Sequence, residues 1–189
     1  MKSRLIYSTL ILTAIAFLSF NFNGKYFTVS QDKKVTISGT STLHDWVSEV
    51  QKIEGNADIL ITQNQIKEIN KLSLKLKVTS IKSGKEKMDK NTYKALNASN
   101  YPHILFNLTK VSSINDNTIE VSGELEVAGT TKPVRLVANS SIENGIVTVK
   151  GKYDLKMTDF NVEPPVLMLG ALKTGDQVTI NYQVSFKAE

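Results

Sequence analysis

Apolar and polar residues alternate through most of this chain, most clearly from Ile119 to Val137 (IEVSGELEVAGTTKPVRLV). Ile119, Val121, Leu125 and Val127 are apolar, while Glu120, Glu124 and Glu126 are charged. A period of two sends these sets to opposite faces of a strand. The alternation breaks at Ala128-Gly129-Thr130-Thr131-Lys132-Pro133 and resumes with Val134 and Leu136. The pattern predicts a hairpin with one apolar and one wet face.

Strands of the same kind precede and follow it. Lys34 to Ser38 alternates, with Gly39-Thr40-Ser41-Thr42 as a turn or bulge. Trp46 to Ile61 reads as one bent strand or two, with Gly55 as the kink. In Leu72 to Val78, Leu72, Leu74, Leu76 and Val78 face one way and Lys75 and Lys77 the other. The period then changes: Met88, Tyr93 and Leu96 recur at near-helical spacing within Met88 to Ala98. Asp89 or Asn91 offers the cap, and Asn100-Tyr101-Pro102 the stop. His103 to Val111 returns to strand, and the second strand of the opening hairpin runs to Ile142. Asn144-Gly145 marks a tight turn before Ile146 to Met157. Pro164-Pro165 opens an irregular loop leading to the apolar patch Val166 to Leu169, either a flap or a buried strand. Val178, Ile180, Tyr182, Val184 and Phe186 alternate to the end.

The count is roughly eight antiparallel strands and one short helix, an all-β sandwich or barrel. A barrel removes exposed strand edges, and eight strands enclose either packed side chains or one slim ligand. Leu74, Leu76, Phe106, Leu125, Val127, Leu136, Tyr182 and Val184 fall on inward faces. They either fill a dry core or line a cavity.

Lys2 and Arg4 precede an apolar run from Leu5 to Phe20. Charge followed by about 15 apolar residues is the secretory signal pattern, and a spanning helix needs about 20. Residues 1–22 are therefore expected to be a signal peptide, with an uncleaved anchor as the alternative, and 23–189 a single domain. The 189 residues include no cysteine, so stability must come from packing, and thiolate chemistry and a lipoprotein anchor are excluded. The net charge of +5 comes with only two arginines, Arg4 and Arg135, and no aromatic-interleaved basic cluster, which argues against nucleic-acid binding.

Candidate chemistry is sparse. His44 and Asp45 are neighbours and point apart on a strand, and no G-x-S-x-G elbow exists, so a hydrolase triad is disfavoured. His44 serves a turn or a polar mouth. Two histidines make a metal site improbable. Glu124 and Glu126 sit on the wet face. Trp46 plugs one end or touches a ligand. Lys82, Lys85, Lys87 and Lys90 surround the helix start, either as a solvated face or as partners of an anionic head group.

Three segments together resemble the YceI-like family of exported lipocalin-like proteins. One is Ser80-Ile81 through Ser83-Gly84-Lys85, Met88-Asp89 and Asn100-Tyr101-Pro102-His103-Ile104-Leu105-Phe106. The second is Val121-Ser122-Gly123-Glu124-Leu125 with Gly129-Thr130-Thr131-Lys132-Pro133-Val134. The third is Asp159-Phe160 with Gly175-Asp176-Gln177-Val178-Thr179-Ile180. The likeness spans roughly Val35 to Phe186. The chain departs from the family's Arg-x-Asp-Phe-Gly corner, with Met157 for the arginine and Asn161 for the glycine; asparagine still reaches left-handed angles.

The resemblance implies an eight-stranded antiparallel lipocalin-like barrel around an elongated apolar cavity. It also implies a non-catalytic, periplasmic or secreted protein that carries, stores or protects a long-chain lipid or polyisoprenoid. The expected cavity set is Trp46, Leu74, Leu76, Phe106, Leu125, Val127, Leu136, Phe160, Leu167, Met168, Leu169, Tyr182 and Val184. The expected mouth is His44, Lys85, Asp89 and His103. No cofactor, nucleic acid or stable membrane insertion of the mature domain is expected, and monomer and homodimer both stay open. The competing reading is a filled barrel acting as an exported stress or interaction protein.

Overall fold

The computed structural model describes residues 25–189, apart from the side chains of Leu167 and Met168. The expected signal segment at 1–22 lies outside the described residues. The elements are β1 (Lys25–Ser41), β2 (Trp46–Val50), β3 (Ile53–Thr62), β4 (Gln65–Lys77), β5 (Ile81–Lys82), α1 (Glu86–Ala95) and β6 (His103–Asn115). They continue with β7 (Thr118–Val127), β8 (Thr130–Glu143), β9 (Ile146–Lys156), β10 (Val166–Leu167) and β11 (Leu172–Ala188).

Eight strands close into an antiparallel ring, β1-β3-β4-β6-β7-β8-β9-β11, and β11 returns to β1. That closing seam runs from Phe27↔Ala188 to Ser41↔Thr174. The other edge of β1 is shared: its first residues pair with β3 and Thr36 to Gly39 pair with β2. Short β2 and β5 pair at one end of the ring, beside α1. The strands were legible in the alternation, and the differences lie at breaks in period. β1 starts at Lys25 rather than Lys34, because the polar run before Val35 sits at a register slip between Val29 and Lys33. The β2–β3 break falls at Gln51-Lys52, not Gly55. Gln51 N–H donates to Ser80 O and Lys52 N–H to Ser80 Oγ, both at 3.0 Å, taking those amides out of the ladder. In the β7–β8 hairpin only Ala128 (φ 49°) and Gly129 (φ 80°) form the turn, so Thr130 to Pro133 belong to β8.

Inward and outward faces follow the alternation. Phe106, Val121, Leu125, Val127, Val184 and Phe186 are buried, while Lys75, Lys77, Glu124 and Arg135 are exposed. Arg135 pairs with Glu120 across the β7–β8 ladder at 2.7 Å. The end of the barrel away from α1 is a packed plug containing Phe27, Ile119, Val121, Val147 and Phe186. Gly151 and Tyr182 are opposite each other in the β9–β11 ladder, and the Tyr182 ring occupies the space a Cβ would take. The Tyr182 hydroxyl reaches Val137 O at 3.3 Å, and burial pushes its pKa up.

Helix α1 begins at Glu86 and stops at Ala95, earlier at both ends than its spacing suggested. Its stop is a Schellman turn: Asn97 is left-handed (φ 47°), Ala98 N–H donates to Tyr93 O and Asn97 N–H to Lys94 O. Its start has no side-chain cap. Asp89 instead reaches back, accepting from Ser83 N–H at 2.8 Å and Ser83 Oγ–H at 2.6 Å. On the helix flank, Tyr93 Oη lies 2.9 Å from Thr79 O and 3.0 Å from Ile81 O. These bonds fix α1 over one end of the ring. The Ser83 donors, chiefly its hydroxyl, hold the Asp89 carboxyl below the usual aspartate range, with Lys82 Nζ at 3.7 Å adding to the effect.

Two predictions follow from this packing. Gly151→Ala places a Cβ 2.7 Å from Val137 O, a backbone atom that cannot swing away. Urea denaturation is expected to show a loss of about 1–3 kcal/mol. Asp89→Asn keeps the shape but removes the charge, at an expected cost of about 2 kcal/mol at neutral pH. Because the folded pKa is depressed, the Asp89 contribution is complete above the unfolded value of about 3.9 and fades as pH falls through the folded value. The gap between wild type and Asp89→Asn should therefore narrow on acidification; a gap of constant size at pH 7 and in strong acid would contradict this account.

Candidate functional site

The α1 end of the barrel is hollow. A pocket of about 490 Å³ is enclosed by the ends of the strands, the inner face of α1 and the loops around Ser41–Trp46 and Phe160–Thr174. Its deepest strand residues include Ile37, Leu76, Ile104, Leu155 and Ile180. Leu125, Val127, Val178 and the buried Ser48 complete the walls. From α1, Met88, Thr92, Ala95 and Leu96 face in at i, i+4, i+7 and i+8.

Two corners hold the rim. Ser41 Oγ accepts from Leu43 N–H and His44 N–H and donates to His44 O at 2.7 Å, folding the Thr42–Asp45 turn. Thr42 N–H donates to Lys173 O, tying this turn to the start of β11. His44 Nδ1 lies 2.8 Å from Asp45 O, so the ring is bound to its own turn while lining the mouth. Ser41 Oγ is occupied with backbone, not with the imidazole. Trp46 stands on the inner wall with its ring over Gly39 and its Nε1–H donating to Thr40 O at 3.0 Å. At the second corner, Asp176 accepts from Thr158 N–H and Oγ1–H, and Asn161 takes left-handed angles (φ 56°, ψ 24°). This turn sends Met157 and Phe160 into the pocket.

The lysine cluster divides. Lys82 lies near Asp89 and 5.2 Å from the Tyr93 ring centroid, and Lys90 pairs with Glu86 at 2.6 Å. Lys85 and Lys87 are on the pocket rim with His44. Among the described residues, the lining contains no aspartate or glutamate. The arrangement offers apolar walls closed at one end and a basic opening at the other.

Of the expected cavity residues, Trp46, Leu76, Leu125, Val127 and Phe160 line this pocket, as do His44 and Lys85 of the expected mouth. Leu74, Phe106, Leu136, Tyr182 and Val184 do not; they pack in the core beyond it. The Phe106 ring lies where a Cβ of Gly123 would be, so the space beside Gly123 is filled. Leu169 is fully exposed at the tip of the β10–β11 hairpin and lines nothing, because Gly170 and the left-handed Leu169 backbone turn it to solvent. Leu167 and Met168 lie outside the described side chains. Asp89 is buried against Ser83, away from the mouth. His103 starts β6 beside Ile104, and only one of two neighbours can face in; Ile104 does. His103 sits opposite Lys77, and its pKa is lowered by burial first and by Lys75 next. The inward residues Val178 and Ile180 were readable from alternation, and Met88 and Leu96 from helical spacing. Leu155, Met157 and Leu172 needed the barrel to close before their positions had meaning.

A family model for the YceI-like domain matches residues 18–186. A UPF0312 protein of Pseudomonas putida is 38% identical over 73 residues, which is 38% of this chain and 38% of that protein. A UPF0312 protein of Azotobacter vinelandii is 30% identical over 104 residues, 51% of this chain and 54% of the relative. The chain thus spans between about a third and about half of these relatives' length. Among solved structures, Burkholderia cenocepacia BcnA matches with TM-score 0.70 at 17% identity, covering 83% of this chain and 98% of that one. A polyisoprenoid binding domain from Saccharophagus degradans, implicated in plant cell wall breakdown, matches with TM-score 0.70 at 12% identity, covering 88% and 99%. A Campylobacter jejuni YCEI protein matches with TM-score 0.63 at 19% identity, covering 75% and 84%. At these identities the structural matches speak to the fold, and the family match over nearly the whole described domain settles membership: this chain belongs to the YceI-like domain family.

Proposed function

We propose that this chain is an exported, non-catalytic binding protein that holds a lipid or isoprenoid with its apolar tail in the barrel pocket and its polar head at the rim. The observation that carries the reading is the pocket itself: about 490 Å³ of space with apolar walls, reached through an opening edged by Lys85, Lys87 and His44. Pockets of about 300–1,000 Å³ with apolar walls and few polar groups suit small-molecule ligands. Each methylene buried there is worth about 0.8 kcal/mol. Two lysines at the opening favour a carboxylate or phosphate head as point charges. The S. degradans neighbour described as a polyisoprenoid binding domain supports an isoprenoid or similar chain. The charge-then-apolar pattern of residues 1–22 supports export to the periplasm or beyond.

Native mass spectrometry of protein recovered from its own compartment is expected to show added mass of lipid size. Palmitate or farnesol at about a hundredfold excess over Kd should stabilise the fold by about 2.7 kcal/mol. For a chain of this size that is a rise of roughly 5–10 °C in Tm. Protein with no bound mass and an unmoved Tm would instead support the filled-barrel reading. The double variant Lys85→Glu, Lys87→Glu separates head from tail. It should weaken palmitate roughly tenfold, since exposed charges are worth up to about 1 kcal/mol each, and leave hexadecanol unchanged. The palmitate difference should shrink with added salt.

A further inference from the structure

We infer that the pocket measures chain length: an aromatic floor halfway down the barrel limits the buried tail to about 20 carbons, so the ligand is a single acyl chain or a short isoprenoid rather than a long polyprenyl chain. This inference rests on the binding reading above and adds the size of the ligand.

The floor follows from strand period. On β1, β4, β6, β9 and β11 the residues two below the deepest wall position are Val35, Leu74, Phe106, Tyr153 and Tyr182, and each belongs to the packed core rather than to the pocket lining; on β7 that position is Gly123. Three of the five are aromatic. Two of those rings lie across glycines: Phe106 over Gly123 and Tyr182 over Gly151. A glycine in the wall lets each ring fold down over the neighbouring strand, where it fills the space a Cβ would take and packs with the layer. Below this layer Phe27, Val147 and Phe186 are 2% exposed or less, so the lower half holds no continuation of the space. A cavity of about 150 Å³ holds benzene, roughly 25 Å³ per carbon. The 490 Å³ of this pocket then holds a tail of about 20 carbons by the same ratio. Carbons beyond that number stay outside the rim in water and add nothing.

The test is competitive displacement of a fluorescent fatty acid by saturated fatty acids of about 10 to about 24 carbons, followed by farnesol, geranylgeraniol and a long polyprenol. Affinity is expected to rise about fourfold per methylene, then level off near 18–20 carbons. Phe106→Ala opens the floor over Gly123 and should move the plateau out by about four to six carbons. Phe106 also packs the core, so Leu155→Phe supplies a second arm: it fills the pocket from the wall and should move the plateau to shorter chains. Affinity still climbing at the longest acid, or plateaus that neither variant moves, would overturn the ruler while leaving lipid binding intact. Failure of every chain to displace the probe would overturn the binding reading, and the ruler with it.

Discussion

The closing pairing of β1 with β11 is the constraint on which the rest depends. It joins the two ends of the described chain along nearly their full length, Phe27↔Ala188 to Ser41↔Thr174. Without it the sheet has two long bare edges and an apolar face open to water. With it, each inward residue faces others across an interior, and the interior becomes a volume rather than a surface. The upper end of the seam also places the Thr42–Asp45 turn against Ala171–Lys173, which makes it one side of the pocket rim.

Closure alone does not decide whether that volume is full. The two halves are built from the same residue classes, yet one is packed and the other is not. The difference lies in which side chains meet across the interior at each level. Phe106 and Tyr182, folded over Gly123 and Gly151, belong with Val35, Leu74 and Tyr153 to a packed layer below the hollow half. Above them aliphatic strand residues, with Trp46 and Phe160, surround the open space. Helix α1 then roofs one side of this space. It stays there because Asp89 and Tyr93 tie it to Ser83 and to the carbonyls of Thr79 and Ile81, not because of a cap. Asp89 is thus a support for the mouth, and Lys85 and Lys87 present charge there.

The fold was largely legible in the chain. Alternation in β4, β7 and β11 assigned both faces correctly because facing is a property of the strand itself. It failed where period broke: the slip after Val29 concealed the first part of β1, and Ser80 ended β2 from a distance of almost thirty residues in sequence. The site was half legible. Trp46, Leu76, Leu125, Val127 and Phe160 were recoverable as inward, while Leu74, Phe106 and Tyr182, equally inward, belong to the floor. His103 was readable as outward from its neighbour Ile104. Asp89 was readable as part of a helix start, but not as a buried anchor.

The sequence by itself determined an all-β chain with one short helix, which side chains face inward in the regular strands, and the tight turn at Asn144-Gly145, because each of these depends on neighbours within a few residues. Only the tertiary structure decided that the barrel closes, that its lower half is solid and its upper half hollow, and which lysines reach the opening. Those outcomes depend on the sizes of side chains brought together from different strands, such as Tyr182 with Gly151, and no local period encodes that sum.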